Sequence, residues 1–299
     1  MQMHAGQLDI EAAAVRRLVR KQFPQWAGLP VLAVASPGTV NAIFRIGDGL
    51  VARFPLQPAE VAATRRWLER EAAAARELVG ATRFPTPEPV AIGEPGAGYP
   101  LPWTVNTWLP GTVATEQDPS GSEAYARDLA DLIQALRAVD TRGRTFHGTN
   151  RGSDLQSRDD WMQECIDRSG ELLDVAWLSR TWAALRTLPR TSPDAMTHGD
   201  LIPGNLLVAD GRLTGVLDVG EFGPADPALD LVSAWHGLAT GPRQVFRKAL
   251  RCDDLEWARG AAWAFEQALG VVWYYAQSNP AASAMGRRTL LRIAADFAM

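Results

Sequence analysis

Between His198 and Asn205 the chain reads HGDLIPGN, which packs a carboxylate, two glycines, a proline and a carboxamide into a short polar stretch ahead of the apolar run LLV. That composition excludes a helix interior. A second carboxylate, Asp218 in LDVG, follows a segment that reads as a hairpin turning at Asp210-Gly211. Two carboxylates and a carboxamide are hard oxygen groups suited to holding Mg²⁺ against a polyphosphate. A carboxylate among them can also orient a hydroxyl and accept its proton. The bland alternative is a polar turn entering a hairpin, followed by a capped strand end.

The spacing favours chemistry. H-x-D-x-x-x-x-N is the protein-kinase signature of a catalytic aspartate and a metal-binding asparagine, and His198, Asp200 and Asn205 fit it. The second signature, D-x-G behind a short hairpin, is met by Asp218 to Gly220. Three fixed residues at fixed spacing arise by chance on the order of once in ten thousand positions, and the second match stands where the first requires it. Phosphoryl transfer needs little covalent help but does need charge neutralisation and in-line positioning. In this reading Asp200 takes the proton of an acceptor hydroxyl, and Asn205 and Asp218 hold Mg²⁺. His198 orders the loop by hydrogen bonding.

The elements that must position these residues follow from periodicity. DIEAAAVRRLVRKQFP has apolar residues at helical spacing, with Asp9 as a candidate cap and Pro24 closing it. LPVLAVASPGTVNAIFRIGDGLVARFP reads as three strands with turns at SPGT and GDG. Residues 59–79, alanine-rich and free of Gly and Pro, predict a helix. PVAIG and WTVNTWL read as further strands, broken by Pro110-Gly111. Beyond that break the pattern turns helical, with SEAYARDLADLIQALRAV opening at Ser120 or Ser122, more helix across 159–187, and mostly helix from Asp226 on. NLLVADGRLTGVLDV is the one hairpin embedded there.

HGDLIPGNLLV followed by GVLDVGEFGPADPALDLVSAW resembles the aminoglycoside phosphotransferase family, small-molecule kinases with a protein-kinase-like fold. The resemblance is specific across 197–235 and collinear across 36–111. It implies an α+β, two-lobed fold: a small antiparallel-sheet N-lobe over 1–108 that binds nucleotide, and a larger, mainly helical C-lobe over 109–299 with the catalytic loop and acceptor site. Ser36, Gly38 and Thr39 then occupy the place of the phosphate-covering loop, with a plain hairpin turn as the alternative. Arg53 stands where family members commonly carry the lysine that grips the α- and β-phosphates. Lys21 and Lys248, the only lysines, lie elsewhere. Arginine keeps the charge and can bind phosphate in bidentate fashion. Glu71 matches the glutamate that holds this cation, with Glu69 and Glu77 as other candidates. The backbone from Thr107 to Leu109 takes the place of the adenine-binding edge. Asp230 matches a residue bracing the catalytic loop, whereas Asp226 reads as a helix cap.

The activity so implied is Mg²⁺-dependent transfer of the γ-phosphate of ATP or GTP to a hydroxyl of an aminoglycoside-type antibiotic, as in antibiotic resistance. Glu221, Glu266 and Asp167 are the acceptor candidates, with Asp159, Asp160 and Glu164 nearby in sequence. The helix EWARGAAWAFEQALGVVWYYAQ concentrates aromatic rings, usually core and alternatively a pocket wall for a bulkier, less charged acceptor. A macrolide, a metabolic sugar or an amino alcohol is thus an alternative acceptor, and a pseudokinase binding module is the rival from another class. The 299 residues carry 46% hydrophobic and 21% charged side chains at net charge -4. This describes a globular chain with no basic block for nucleic acid and no apolar run that spans a membrane. Two cysteines make no disulfide framework, and no apolar signal segment is evident, so the cytoplasm is the expected location. Protein partners stay open.

Overall fold

The computed structural model describes residues 6–34 and 40–297. Ser36, Gly38 and Thr39 lie outside the described residues. The chain forms two compact units, Met1–Gly80 with Pro85–Pro110 and Val216–Gly220, and Ala81–Phe84 with Gly111–Gly215 and Glu221–Met299. The chain therefore contributes three segments to the first unit, and the last of them carries Asp218.

In the first unit, α1 (Ala12–Gln22) precedes β1 (Val31–Val34), β2 (Asn41–Ile46), β3 (Leu50–Pro55), α2 (Val61–Leu78), β4 (Pro89–Gly93) and β5 (Trp103–Thr107). The strands form one antiparallel sheet in the order β1-β2-β3-β5-β4. Val15, Leu18 and Val19 of α1, one helical face, join a core of Phe44, Ile46, Phe54, Trp103 and Val105. Burying each such large side chain contributes roughly 1.5–3 kcal/mol. Phe54 stacks on Trp103 with centroids 4.8 Å apart. α1 begins two residues later than Asp9 suggested, with Glu11 at its N-cap. Glu60 caps α2, its carboxylate accepting from Ala62 N (2.9 Å) and Ala63 N (2.6 Å).

In the second unit, β6 (Thr112–Val113), α3 (Glu123–Arg137), α4 (Asp159–Arg168), α5 (Val175–Leu185), β7 (Ala195–Thr197), β8 (Leu206–Ala209), β9 (Arg212–Val216), β10 (Gly223–Ala225), α6 (Val232–Gly237), α7 (Thr240–Leu250), α8 (Asp254–Tyr274) and α9 (Pro280–Asp296) follow. Ser122 caps α3 through Tyr125 N at 3.1 Å. β8 and β9 are the expected hairpin, and Asp210 and Gly211 both take positive φ (50° and 68°), as a two-residue hairpin turn requires. The expected helix over 159–187 is two helices, because Ser169-Gly170 interrupts it. α8 is buried on most of its circumference, from Trp257 to Val272. Trp257 (4% exposed), Trp263 and Phe265 (both 0%) are core rather than pocket wall. Among the described residues no helix is long and apolar enough to cross a membrane.

Candidate active site

The first unit gathers a cation and two carboxylates. β3 alternates: Ala52 and Phe54 face the core, so Arg53 between them projects from the opposite face. Its Nη2 meets Asp218 Oδ1 at 2.5 Å. Burial works against the charge of Arg53, but Asp218 and then Glu71 outweigh it and hold the guanidinium above its ordinary value. Glu71 sits half-buried on α2 beside the return segment. A Cβ on Gly220 would lie 2.8 Å from the Glu71 side chain, so the glycine of D-x-G is what lets the segment approach. Asp218 itself has φ +56°, a left-handed conformation that costs a residue other than glycine roughly 1–2 kcal/mol. Glu69 pairs instead with Arg65.

The expected adenine edge is partly engaged by the unit's own fold. Thr107 N donates to Glu88 O at 2.9 Å, and Trp108 N donates to Gly49 O at 2.8 Å. Among the described residues the amide of Leu109 has no backbone partner.

The second unit builds the HGD loop around a buried brace. Asp230, 1% exposed, accepts from His198 N (Oδ2, 2.8 Å) and Gly199 N (Oδ1, 3.0 Å). Burial pushes its carboxyl above the usual carboxylate range, against the opposing pull of His198 and these two N–H groups. Gly199, at φ +85°, turns the chain out of β7. Asp200 N then donates to His198 Nδ1 at 3.2 Å, which makes His198 a loop-ordering group. Asn205 Nδ2 donates to the Asp200 carbonyl (2.9 Å) and to Asp200 Oδ2 (3.1 Å).

Two residues that the sequence did not single out close on the other oxygen. Gln267 Nε2 donates to Asp200 Oδ1 at 2.6 Å, and Arg151 Nη2 lies 3.2 Å from the same atom. Charge-run patterns carry no sign of either, since both reach Asp200 from distant chain positions.

The acceptor candidates divide. Glu266, 2% exposed, receives Arg158 through Nε (2.9 Å) and Nη2 (2.8 Å) on the same Oε1. Together with Asp200 and Glu221 it raises the guanidinium of Arg151, against the burial that lowers it. Asp167 is exposed on α4, bonded by Gln163, and nothing links it to Asp200. Asp159 is held by Arg186 and Trp182. Asp226 does cap Ala228 N (3.0 Å), and it also binds Arg259 and Trp263.

Mg²⁺ fits the chemistry of the donors. With Nδ2 of Asn205 turned toward Asp200, its carbonyl oxygen is the atom left to ligate, and Asp218 offers a carboxylate. Both are hard oxygens. Hard oxygens of this kind suit Mg²⁺, which keeps water and phosphate oxygens among its ligands. Among the described residues no group of three or more His, Cys, Asp or Glu side chains forms a self-sufficient metal cage.

Comparison with known proteins bears on the family and the fold. The model of the phosphotransferase enzyme family matches residues 32–264. An aminoglycoside 3'-phosphotransferase of Escherichia coli is 30% identical over 145 residues, 46% of this chain and 52% of that protein. One of Streptomyces fradiae is 30% identical over 185 residues, 55% of this chain and 68% of that protein. The chain thus spans about half the length of the first of these curated relatives and about two thirds of the second. Among solved structures, the GDP complex of aminoglycoside 2'-phosphotransferase-IIIa superposes with a TM-score of 0.73 at 19% identity, covering 96% of this chain and 100% of that one. The macrolide 2'-phosphotransferase of Brachybacterium faecium gives 0.58 at 21%, covering 93% and 97%. These likenesses establish the same α+β fold, an antiparallel-sheet region followed by a helical one. With its sequence matched over most of its length, the chain belongs to the phosphotransferase enzyme family.

Proposed function

We propose that the protein is a Mg²⁺-dependent small-molecule kinase that transfers the γ-phosphate of ATP or GTP to a hydroxyl of an aminoglycoside-type antibiotic. The observation that carries this reading is the Asp200 carboxylate, held on Oδ2 by Asn205 and on Oδ1 by Gln267, at the head of a loop braced by buried Asp230. A carboxylate so fixed orients a hydroxyl and accepts its proton as the oxygen attacks the γ-phosphorus. The new bond joins acceptor oxygen to phosphorus, the bond from phosphorus to the β,γ-bridging oxygen breaks, and a nucleoside diphosphate leaves.

Arg53, steadied by Glu71, is the residue we assign to the α- and β-phosphates. The metal role of Asn205 and Asp218 rests on motif spacing and donor chemistry, and Mg²⁺ when bound supplies charge neutralisation on the phosphates. The backbone from Thr107 to Leu109 is assigned to the base, and Ser36, Gly38 and Thr39 to the phosphates. Glu221 and Glu266 lie in the charge field of Arg151 beside Asp200 and are assigned to the acceptor side. Asp167 has no such support.

A second reading is favoured by the Arg158–Glu266 and Arg151–Asp200 pairs, which give two acidic residues a resident cation. A less charged hydroxylated acceptor, such as a macrolide or an amino alcohol, suits that balance. The test is ATP and GTP consumption with Mg²⁺ against aminoglycosides, macrolides and other hydroxylated compounds, with Asp200→Ala as control. An acceptor-dependent signal lost in the variant supports a small-molecule kinase and identifies its acceptor. Nucleotide binding without turnover on any acceptor, water included, would turn the assignment toward a binding module.

A further inference from the structure

A chain of side chains runs from Asp200 into the helical core. Gln267 of α8 donates from Nε2 to Asp200 Oδ1 (2.6 Å), and its Oε1 lies 3.1 Å from His236 Nε2 on α6. His236 Nδ1 lies 2.9 Å from Thr289 Oγ1 on α9. His236 is 4% exposed and Thr289 is fully buried. Burial lowers the imidazole to about 4, against the opposing pull of Gln267 and Asp200, so the ring is neutral at ordinary pH and carries one N–H. The carboxylate at one end of the chain sets the bonding directions, and at the other end the Thr289 hydroxyl proton has two acceptors in reach, His236 Nδ1 at 2.9 Å and the Met285 carbonyl at 3.1 Å. Gln267 must present its amide nitrogen to the carboxylate, so its oxygen accepts from His236 Nε2–H, and Nδ1 is left as an acceptor for the Thr289 hydroxyl.

The amide of Gln267 is therefore barred from flipping. A flip would set its oxygen against the Asp200 carboxylate and its NH₂ against the His236 N–H. Three helices thereby fix one side-chain orientation at the loop.

Resting on the kinase reading above, we propose that Gln267 is a positioning residue, which sets the orientation of the Asp200 carboxylate through a hydrogen-bonded chain anchored by His236 and Thr289. It acts through Asp200. Its effect is on where the proton-accepting oxygen points, and misplacing a reacting group by about 1 Å can cost on the order of 100-fold in rate.

The experiment compares the full-length wild type with Gln267→Leu, His236→Phe and the double variant. Kinetics use Mg·ATP and Mg·GTP with kanamycin as the acceptor probe, and hydrolysis to water as a second probe. Gln267→Leu is expected to lower kcat about 10- to 100-fold while both KM values move less than about twofold. His236→Phe is expected to lower kcat in the wild-type background and to add nothing once Gln267 is Leu, because both act through one chain. Wild-type kcat in Gln267→Leu, or fully additive effects in the double variant, would overturn the proposal. A readout independent of turnover separates this from failure of the kinase reading. The side-chain amide signals of ¹⁵N-labelled Gln267 are expected to shift in Asp200→Ala and in His236→Phe, with the fold retained. If they do not move, Gln267 is not coupled to Asp200 and the proposal fails, whether or not any acceptor is phosphorylated.

Discussion

Asp218 and Asp200 are both carboxylates at the ends of short strands, yet they are held in opposite ways. Asp218 is half-exposed, sits in a left-handed conformation, and faces the guanidinium of Arg53. Asp200 receives Asn205, Gln267 and Arg151, and its loop hangs from the buried carboxylate of Asp230. An ion pair whose carboxylate is half open to solvent can trade partners. A carboxylate inside a web of directed donors cannot be turned without breaking several bonds. The difference suits the assigned tasks, since a phosphate- and metal-binding pair must accept a new partner, whereas a proton acceptor must keep one orientation.

The comparison breaks first at Asp200. Asp200→Ala is expected to cut kcat about 1,000- to 10,000-fold with nucleotide affinity nearly unchanged, as read by turnover beside equilibrium nucleotide binding. Activity at full level would remove Asp200 from the mechanism.

Next comes the brace. Asp230→Ala leaves the N–H groups of His198 and Gly199 without their acceptor, at about 1–3 kcal/mol each. A clear fall in Tm should accompany the loss of activity. A variant with normal Tm would show that the loop is held by something else.

The buried end of the web also predicts a pH dependence. His236 titrates at about 4 in the folded protein and near 6.5 in the unfolded chain. The unfolded state therefore binds the extra proton first as pH falls. Stability is full above about 6.5 and declines toward 4, by up to about 3 kcal/mol. The groups around the ring are Gln267, Thr289, Asp200, Arg151 and Arg292. Denaturant melts across that window should show the slope in the wild type and a flatter profile in His236→Phe. Equal slopes would place the acid sensitivity elsewhere.

The smallest effects belong to the exchangeable pair. Arg53→Ala should raise the nucleotide KM about 10- to 100-fold with a lesser change in kcat, and Arg53→Lys should retain most activity because the charge remains. A silent Arg53→Ala would move the phosphate grip to another residue.

What was legible in the sequence was local. The HGD loop and the D-x-G segment are set by fixed spacing within one stretch each, and their hairpin is announced by Asp210-Gly211. Arg53 was readable through the family resemblance, which expects a phosphate-gripping cation on that strand. Gln267, His236 and Arg151 were not, because they meet Asp200 only through the packing of α6, α8 and the segment before α4. Gln267 was further obscured by its helix, whose aromatic residues invited attention although Trp257, Trp263 and Phe265 are core. The break at Ser169-Gly170 had a signal in its glycine, but helical patterning on both sides outweighed it. The engagement of Thr107 and Trp108 N–H groups by Glu88 and Gly49 likewise depends on strand partners that propensity does not name.

The return of Val216–Gly220 to the first unit also has a consequence for biosynthesis. The residue that faces Arg53 is translated long after β3, and Val216 N closes onto Pro85 O at 2.9 Å only when that segment arrives. A ribosome that has released the first 110 residues has not yet delivered the carboxylate opposite Arg53. The sheet can form early from its own hairpins, but the cluster on its outer face is a late, long-range closure. Stalling synthesis before and after residue 220 would therefore separate a folded sheet from a completed ion-pair cluster.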